Sequence, residues 1–134
     1  MTETPSPEIT AIQTPAAPAA IGPYAQAIEV NAGRFLFLSG QIPLDPATGK
    51  MNNATVADEI AQVLKNLGAV LAAAGANATN IVKATILLTD MGDFQLVNEA
   101  YAAFMGDHRP ARAAFAVAAL PLGARVEIEA IAAL

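Results

Sequence analysis

The sequence predicts an α+β domain of two layers, with one β-sheet and two helices packed on one of its faces. Two amphipathic segments have apolar residues at three- and four-residue steps, which is the helical period. The remaining regular segments are short and rich in β-branched residues, as strands are. A chain of 134 residues has the length of a single domain, which we place at residues 9–134.

The N-terminal part contains few residues that favour regular structure. Residues 1–8 are polar and rich in proline, and we predict that they form a disordered tail. Residues 9–13 are a candidate edge strand. Residues 14–23 contain three prolines and four alanines, which suit neither a helix nor a central strand, so an ordered loop is predicted there.

Two strands follow, at residues 25–30 and 35–39. The short link between them contains Gly33, and we predict a hairpin in which this glycine adopts the left-handed conformation. Residues 45–49 (Asp-Pro-Ala-Thr-Gly) predict a turn, because proline presets one central dihedral and glycine accepts a positive φ.

The first predicted helix covers residues 55–74 and has one apolar stripe. Thr55 is a suitable N-cap, and Gly75 lies where a C-terminal cap belongs. A strand at residues 81–89 and a second helix at residues 93–105 come next.

Two strands at residues 112–118 and 125–132 complete the domain. Two helices cover only one face of the sheet. We expect the opposite face to carry Leu87 and the alanines at 114, 116 and 118, which are poorly suited to water. The sequence therefore predicts that this face packs against other copies of the same chain.

Composition excludes several classes of function. The net charge of −5 and the pI near 4.6 disfavour binding to nucleic acid. The chain has no cysteine, so it has no disulfide or thiolate site. It also has no apolar window long enough for a membrane span and no basic, apolar leader. We therefore expect a cytoplasmic protein without a membrane partner.

Familiar catalytic constellations are absent from the sequence. His108 is the only histidine, which excludes multi-histidine metal sites, so we predict no metal site. A Ser39–His108 nucleophile pair is disfavoured, because a serine at the end of a strand is more often a hydrogen-bonding residue. No glycine-rich phosphate loop follows a strand.

Charged residues within apolar strands are the remaining candidates. Arg112 has two interpretations: a structural ion pair, or a planar fork that binds the carboxylate of a ligand. Glu127 and Glu129 share one face of the last strand, and a carboxylate there can orient a water or move a proton. Tyr24 is either a packed aromatic residue or a pocket wall.

Four motifs together resemble the RidA family, also called YjgF/YER057c/UK114. They are residues 18–24 (Pro-Ala-Ala-Ile-Gly-Pro-Tyr), 38–43 (Leu-Ser-Gly-Gln-Ile-Pro), 110–112 (Pro-Ala-Arg) and 127–131 (Glu-Ile-Glu-Ala-Ile). The resemblance covers the chain after residue 8. It implies a chorismate-mutase-like (YjgF-like) fold, with a mixed six-stranded sheet and two helices on one face. It further implies a homotrimeric barrel with a cleft at each subunit interface.

The resemblance also implies an activity: hydrolysis of reactive enamines and imines, of the 2-aminoacrylate and 2-iminopropanoate/2-iminobutanoate type, to 2-oxo acids and ammonia without a cofactor. By position in the motifs, Arg112 holds the substrate carboxylate and Glu127 positions the attacking water. Tyr24 and Ser39 line the pocket, and Asn98 is a further contact. Glu129 remains structural.

The sequence departs from the family at two places. Ala114 stands where many members have a cysteine, and the segment before Pro110 is shorter and carries Arg109 where an aromatic residue is common. Both departures bear on substrate preference. Two alternatives are a non-catalytic module that binds 2-oxo acids and, less favoured because of the acidic charge, an endoribonuclease.

Overall fold

A computed structural model of the chain describes residues 6–134. Its two helices are α1 (Val56–Ala73) and α2 (Phe94–Met105). Its strands are β1 (Glu8–Ile12), β2 (Ala27–Asn31), β3 (Phe35–Gln41), β4 (Leu44–Asp45), β5 (Lys50–Met51), β6 (Ile81–Leu88), β7 (Ala111–Ala116) and β8 (Val126–Ala133). Positions 1–5 of the tail predicted at residues 1–8 lie outside the described residues. Glu8, the last residue of that predicted tail, is instead the first residue of β1.

The largest sheet has the strand order β3-β8-β6-β7. Strand β8 is antiparallel to both of its neighbours, whereas β6 and β7 are parallel, so the sheet is mixed. The predicted α+β class is therefore confirmed. The single six-stranded sheet is not confirmed, because β1 and β2 form a separate two-stranded sheet in the described residues.

The hairpin predicted between the strands around Gly33 is wrong. Strand β2 pairs with β1 along its whole length, from Ile12↔Ala27 to Glu8↔Asn31, and β3 pairs with β8 instead. Gly33 is not among the residues with positive φ. A three-residue link without a left-handed residue does not turn the chain tightly enough for its flanking strands to pair.

Both predicted helices are confirmed to within about one residue. Thr55 caps α1 by accepting a hydrogen bond from the backbone N–H of Asp58 at 3.1 Å. Gly75 follows α1 with φ of 74°, and the N–H of Ala76 reaches back to the carbonyl of Leu71. Helix α2 ends at Gly106, whose φ is 60°.

The core lies between the two helices and one face of the four-stranded sheet. The sheet contributes alternate residues to it, as the pleat requires. These are Leu38, Ala84, Ile86, Leu88, Val126, Ile128, Ala130 and Ala132. Helices α1 and α2 contribute Ile60, Val63, Leu64, Leu67, Leu71, Val97, Tyr101 and Met105. This arrangement leaves the opposite face of the sheet without a helix.

The open face has a different composition from the one predicted. Ala114 and Ala116 pair with the buried Ile86 and Leu88, so they lie on the helix side. On β7 the open-face residues are the alternate ones, Ala111, Ala113 and Phe115, since Phe115 pairs with Leu87. The prediction for this face was therefore right for Leu87 and wrong for Ala114 and Ala116. Among residues 6–134, no helix combines the length and the apolar character that crossing a membrane requires.

Candidate functional site

Arg112 is the second residue of β7, and its partner on β6 is the fully buried Ala84. The side chain therefore projects from the sheet toward α2. It borders a cavity of about 340 Å³. The lining comes from the loop before β2, from α2 and the turn preceding it, and from β7: Ile21, Gly22, Tyr24, Met91, Phe94, Asn98, Arg112 and Ala114. The structure thus brings together four of the six predicted site residues.

The Arg112 guanidinium has one polar partner among the described side chains. Its Nη1 donates a hydrogen bond to Oδ1 of Asn98 at 2.5 Å. Three aromatic rings surround its Cζ: the centroids of Tyr24 and Tyr101 are each 5.2 Å away, and that of Phe94 is 5.6 Å away. These distances lie within the range of cation–π attraction.

The cavity wall shields the guanidinium from water. Burial lowers the pKa of Arg112 below its ordinary value, because desolvation disfavours the charged form. Burial also raises the pKa of Tyr101 to about 12, although the nearby Arg112 acts in the opposite direction. At neutral pH the site therefore contains a neutral phenol beside a partly desolvated cation that has no carboxylate partner within residues 6–134.

The loop that carries Tyr24 is ordered, as predicted from its prolines. The Gln26 amide nitrogen donates to the carbonyl groups of Thr14, Ala17 and Pro18, and its oxygen accepts from the Thr14 N–H. The Tyr24 hydroxyl accepts a hydrogen bond from the N–H of Ile21 at 3.3 Å. These bonds hold the phenol ring against Arg112.

Glycine lets this loop approach β7 closely. The N–H of Ala25 donates to the carbonyl of Pro110, which brings the loop close to the start of the strand. A Cβ at Gly22 would lie 3.3 Å from Nη2 of Arg112, which is a tight contact. The close approach of this backbone completes the wall of the cavity.

Glu127 is not part of this cavity. It pairs with Leu87 on β6 and therefore lies on the open face, whereas Arg112 lies on the helix face. Glu127 packs against Gly40, where a Cβ would lie only 2.6 Å from its Oε2. Ser39 precedes that glycine in an irregular part of β3 and is exposed. Within one chain, Glu127 and Ser39 are thus separated from the Arg112 cavity by the sheet.

The other candidates have local structural contacts. His108 Nε2 lies 2.6 Å from the carbonyl oxygen of Ile81. Arg109 donates to the carbonyl groups of Gly106 and His108 and is exposed. Glu129 pairs with Thr85 and is exposed on the open face. Residues 6–134 contain no group of three or more side chains that could hold a metal ion.

Sequence reasoning missed the aromatic residues around Arg112. The apolar period of residues 93–105 predicts a helix that packs on the sheet, and it does not by itself relate Phe94 or Tyr101 to Arg112. Both are at helical spacing from Asn98, at i−4 and i+3, so all three side chains lie on one face of α2. The i, i+4, i+7 pattern that contains a predicted ligand contact was the available signal. It was attributed to packing alone.

Comparisons with known proteins find similar sequences and similar folds. Residues 14–134 match the family model described as Endoribonuclease L-PSP. A Mus musculus protein named 2-iminobutanoate/2-iminopropanoate deaminase is 54% identical, over 90% of this chain and 88% of that protein. The structure of the Escherichia coli YjgF gene product has a TM-score of 0.70 and 45% identity, covering 92% of this chain and 98% of that one.

A second solved structure carries a small molecule. It is that of Escherichia coli TdcF with bound serine, with a TM-score of 0.71 and 41% identity, covering 93% of this chain and 98% of that one. The family model spans most of the chain, and the mouse relative is identical at more than half of the aligned positions. The chain therefore belongs to the family described as Endoribonuclease L-PSP, which is the RidA (YjgF/YER057c/UK114) family that its motifs indicate.

Proposed function

We propose that the protein is a 2-iminobutanoate/2-iminopropanoate deaminase, which hydrolyses small 2-imino acids and their enamine tautomers to 2-oxo acids and ammonia. The main support is the Arg112 cavity: a partly desolvated guanidinium, oriented by Asn98, with no carboxylate of the described chain to neutralise it. Such a fork binds a carboxylate in a bidentate manner. The activity named for relatives at more than half identity uses substrates that carry this group.

The proposed reaction needs only binding, a water and proton transfer. Arg112 binds the substrate carboxylate, and Tyr24 and Ala114 form the wall beside it. The enamine takes a proton on carbon and becomes an imine, whose carbon is electrophilic. Glu127 orients a water toward that carbon, so a C–O bond forms and the nitrogen gains a proton. The carbinolamine hydroxyl then loses its proton and the nitrogen gains one, so the C=O bond forms as the C–N bond breaks, releasing ammonia and leaving the 2-oxo acid.

We also propose that the active unit is a homotrimer with its clefts between subunits. Arg112 and Glu127 project from opposite faces of the sheet in one chain, so they reach a common substrate only if two copies meet. The open face supports this assembly, because it exposes Phe37 and Phe115. Ser39 then lies with Glu127 on the side of the cleft opposite Arg112.

The first test measures hydrolysis of imines that a threonine dehydratase generates, followed as the rate of 2-oxobutanoate formation above the uncatalysed rate. We expect wild type to accelerate this step and Arg112→Ala to abolish the acceleration. Arg34→Ala serves as the matched control, because Arg34 is an exposed arginine outside the cavity. Activity retained in Arg112→Ala would eliminate the carboxylate clamp. Binding of 2-oxobutanoate without acceleration would instead identify a non-catalytic binding module.

The second test asks whether the site is shared between copies. Arg112→Ala and Glu127→Gln are first produced and assayed separately. The two variants are then co-expressed in one cell, so that mixed particles form. Each variant alone is expected to be inactive. Random assembly of the two leaves about a quarter of the clefts with both wild-type groups, so activity returns to about that fraction. No recovery in the mixed particles would show that both groups act within one chain.

A further inference from the structure

The setting of Arg112 is unusual for a partly buried cation. Among the described residues its only side-chain hydrogen bond is to Asn98, which is neutral. The one ion pair within residues 6–134 joins Arg125 to Glu59, away from the cavity. A guanidinium removed from water without a counterion is costly, so the surrounding groups must compensate for the lost hydration.

Aromatic faces provide part of that compensation. The rings of Tyr24, Phe94 and Tyr101 surround the Arg112 guanidinium, each with its centroid within 6 Å of Cζ. We call these three rings the aromatic cage. They differ in rigidity: Tyr24 lies in a loop, and Phe94 is the first residue of α2. Tyr101 lies inside α2 and is fully buried.

Tyr101 provides a ring rather than a hydrogen bond. Its hydroxyl is buried and has no partner among the described residues. A buried hydroxyl without a partner carries a desolvation cost, so the side chain is not explained by what its oxygen binds. Its ring lies 5.2 Å from Cζ of Arg112, and it follows Asn98 by one helical turn. Asn98 and Tyr101 therefore hold the same guanidinium from adjacent positions on one helix face.

We propose that Tyr101 is a positioning residue for substrate binding, and that the face of its ring fixes the Arg112 guanidinium in the orientation that receives a carboxylate. The expected effect on carboxylate binding rests on the proposed function. The orientation of Arg112 itself can be measured without any substrate. Phe94 and Tyr24, which line the cavity, flank the same guanidinium. The role belongs to the ring, so the hydroxyl is dispensable.

The test compares Tyr101→Phe, which keeps the ring, with Tyr101→Leu, which removes it. The first readout is the side-chain NMR signal of Arg112, one of four arginines in the chain, assigned by its loss in Arg112→Lys. In wild type and Tyr101→Phe we expect its Nε–H signal to show an upfield ring-current shift and a high order parameter. In Tyr101→Leu the shift shrinks and the order parameter falls.

The second readout is calorimetric affinity for 2-oxobutanoate, with the uncharged 2-oxobutanamide as the comparison ligand. Tyr101→Leu is expected to weaken binding of the carboxylate about tenfold, while Tyr101→Phe changes it less than about twofold. A general loosening of the cavity would affect both ligands equally, whereas loss of Arg112 orientation affects only the carboxylate. If Tyr101→Leu does not fold, position 101 alone is filled with phenylalanine analogues of increasing fluorine content. These analogues keep the shape of the ring and weaken the cation–π attraction of its face stepwise.

Each outcome decides between the alternatives. Stepwise loss of carboxylate affinity and of Arg112 order supports the positioning role. Unchanged Arg112 signals in Tyr101→Leu or in the fluorinated series would overturn it, as would an equal loss in Tyr101→Phe, which would assign the role to the hydroxyl. If wild type binds no 2-oxobutanoate, the proposed function loses its carboxylate anchor, and the NMR signals alone decide the role of the ring.

Discussion

Asn98 is a neutral side chain at a position where a charged one would change the ligand that the site accepts. Its amide oxygen accepts from Nη1 of Arg112 at 2.5 Å and leaves the positive charge available. Asn98→Asp places a permanent counterion at that distance, which competes with the substrate carboxylate. We expect this variant to weaken 2-oxobutanoate binding by about a hundredfold with little loss of stability.

The matched control is Gln95→Glu. It adds the same negative charge to α2, but at an exposed position outside the cavity. Its affinity for 2-oxobutanoate, measured by calorimetry, should differ from wild type by less than about threefold. Equal losses in both variants would mean that overall charge, and not the partner of Arg112, controls binding.

Because the phenol of Tyr101 is buried, the free energy of unfolding should depend on pH in the alkaline range. Its pKa is raised to about 12 in the folded chain, whereas a tyrosine in an unfolded chain ionises near 10. Between these values the unfolded chain has lost the proton that the folded chain retains, so stability falls as the pH rises. Below pH 10 this contribution is fully present. Urea unfolding at about pH 9 and about pH 11.5 should show a loss of about 2 kcal/mol that Tyr101→Phe removes. If Tyr101→Phe loses as much stability as wild type between these two pH values, the loss does not come from the Tyr101 phenol.

Single residues were predictable where their chemistry was unusual for their surroundings. Arg112 interrupts an alanine-rich strand, which made it a candidate, and the motif at residues 18–24 made Tyr24 another; both border the same cavity. The ring of Tyr101 was not predicted as part of the site, although its helical spacing from Asn98 was an available signal. In a helical pattern, an aromatic residue that packs on a cation is indistinguishable from one that packs on leucine, because both occupy the buried stripe.

At the scale of elements, one ion pair joins the first turn of α1 to the start of β8. The fully buried Glu59 accepts from the backbone N–H of Arg125 at 2.8 Å and pairs with its side chain, which is 38% exposed. From the sequence, Glu59 is only an acidic residue in the first turn of a helix, where it favours the positive end of the dipole. Its partner is 66 positions away along the chain, and no local pattern relates the two residues.

The two partners should respond unequally to substitution. Arg125→Met leaves a buried carboxylate without its cation, which costs about 3 kcal/mol. Glu59→Gln costs less, about 1 kcal/mol, because the half-exposed Arg125 regains water and the amide oxygen still accepts its N–H. The double variant should be more stable than Arg125→Met alone. Urea unfolding of all four proteins checks this order, and strictly additive losses would argue against a coupled pair.

The strand pairing of the N-terminal region shows where local patterns are insufficient. The two helices were predictable because their caps and stripes are encoded within about 20 residues. The hairpin at Gly33 was predicted from the same kind of local signal. Strand β3 instead pairs with β8, about 95 residues later in the chain, and β2 turns back to β1. Competition between distant strands is not visible in a window of a few residues.

At the scale of the whole molecule, the face of the sheet opposite the helices is the largest feature that one chain leaves unexplained. Phe35, Phe37 and Phe115 on this side are 47%, 74% and 48% exposed. The sequence predicted such a face from the number of helices and from apolar residues with no helix to cover them; Leu87 does lie there, whereas Ala114 and Ala116 do not. Side chains of this size at such exposure are typical of an interface.

The proposed trimer makes Phe37 the most informative position on this face. Phe37→Glu puts a charge into a surface that would be buried between copies, and burying an unpaired charge is costly. We expect light scattering to show a monomer at micromolar concentration. Since Glu127 and Arg112 of one chain lie on opposite faces, imine hydrolysis should fall about tenfold or more together with the assembly.

The control is Leu96→Glu, at a 42% exposed leucine of α2 that lies outside both the open face and the cavity. This variant should keep the oligomeric state and the activity of wild type, because its new charge stays in water. If Phe37→Glu remains fully assembled, the open face is not the interface. If it becomes a fully active monomer, the site does not need a second copy, and a group other than Glu127 must position the water.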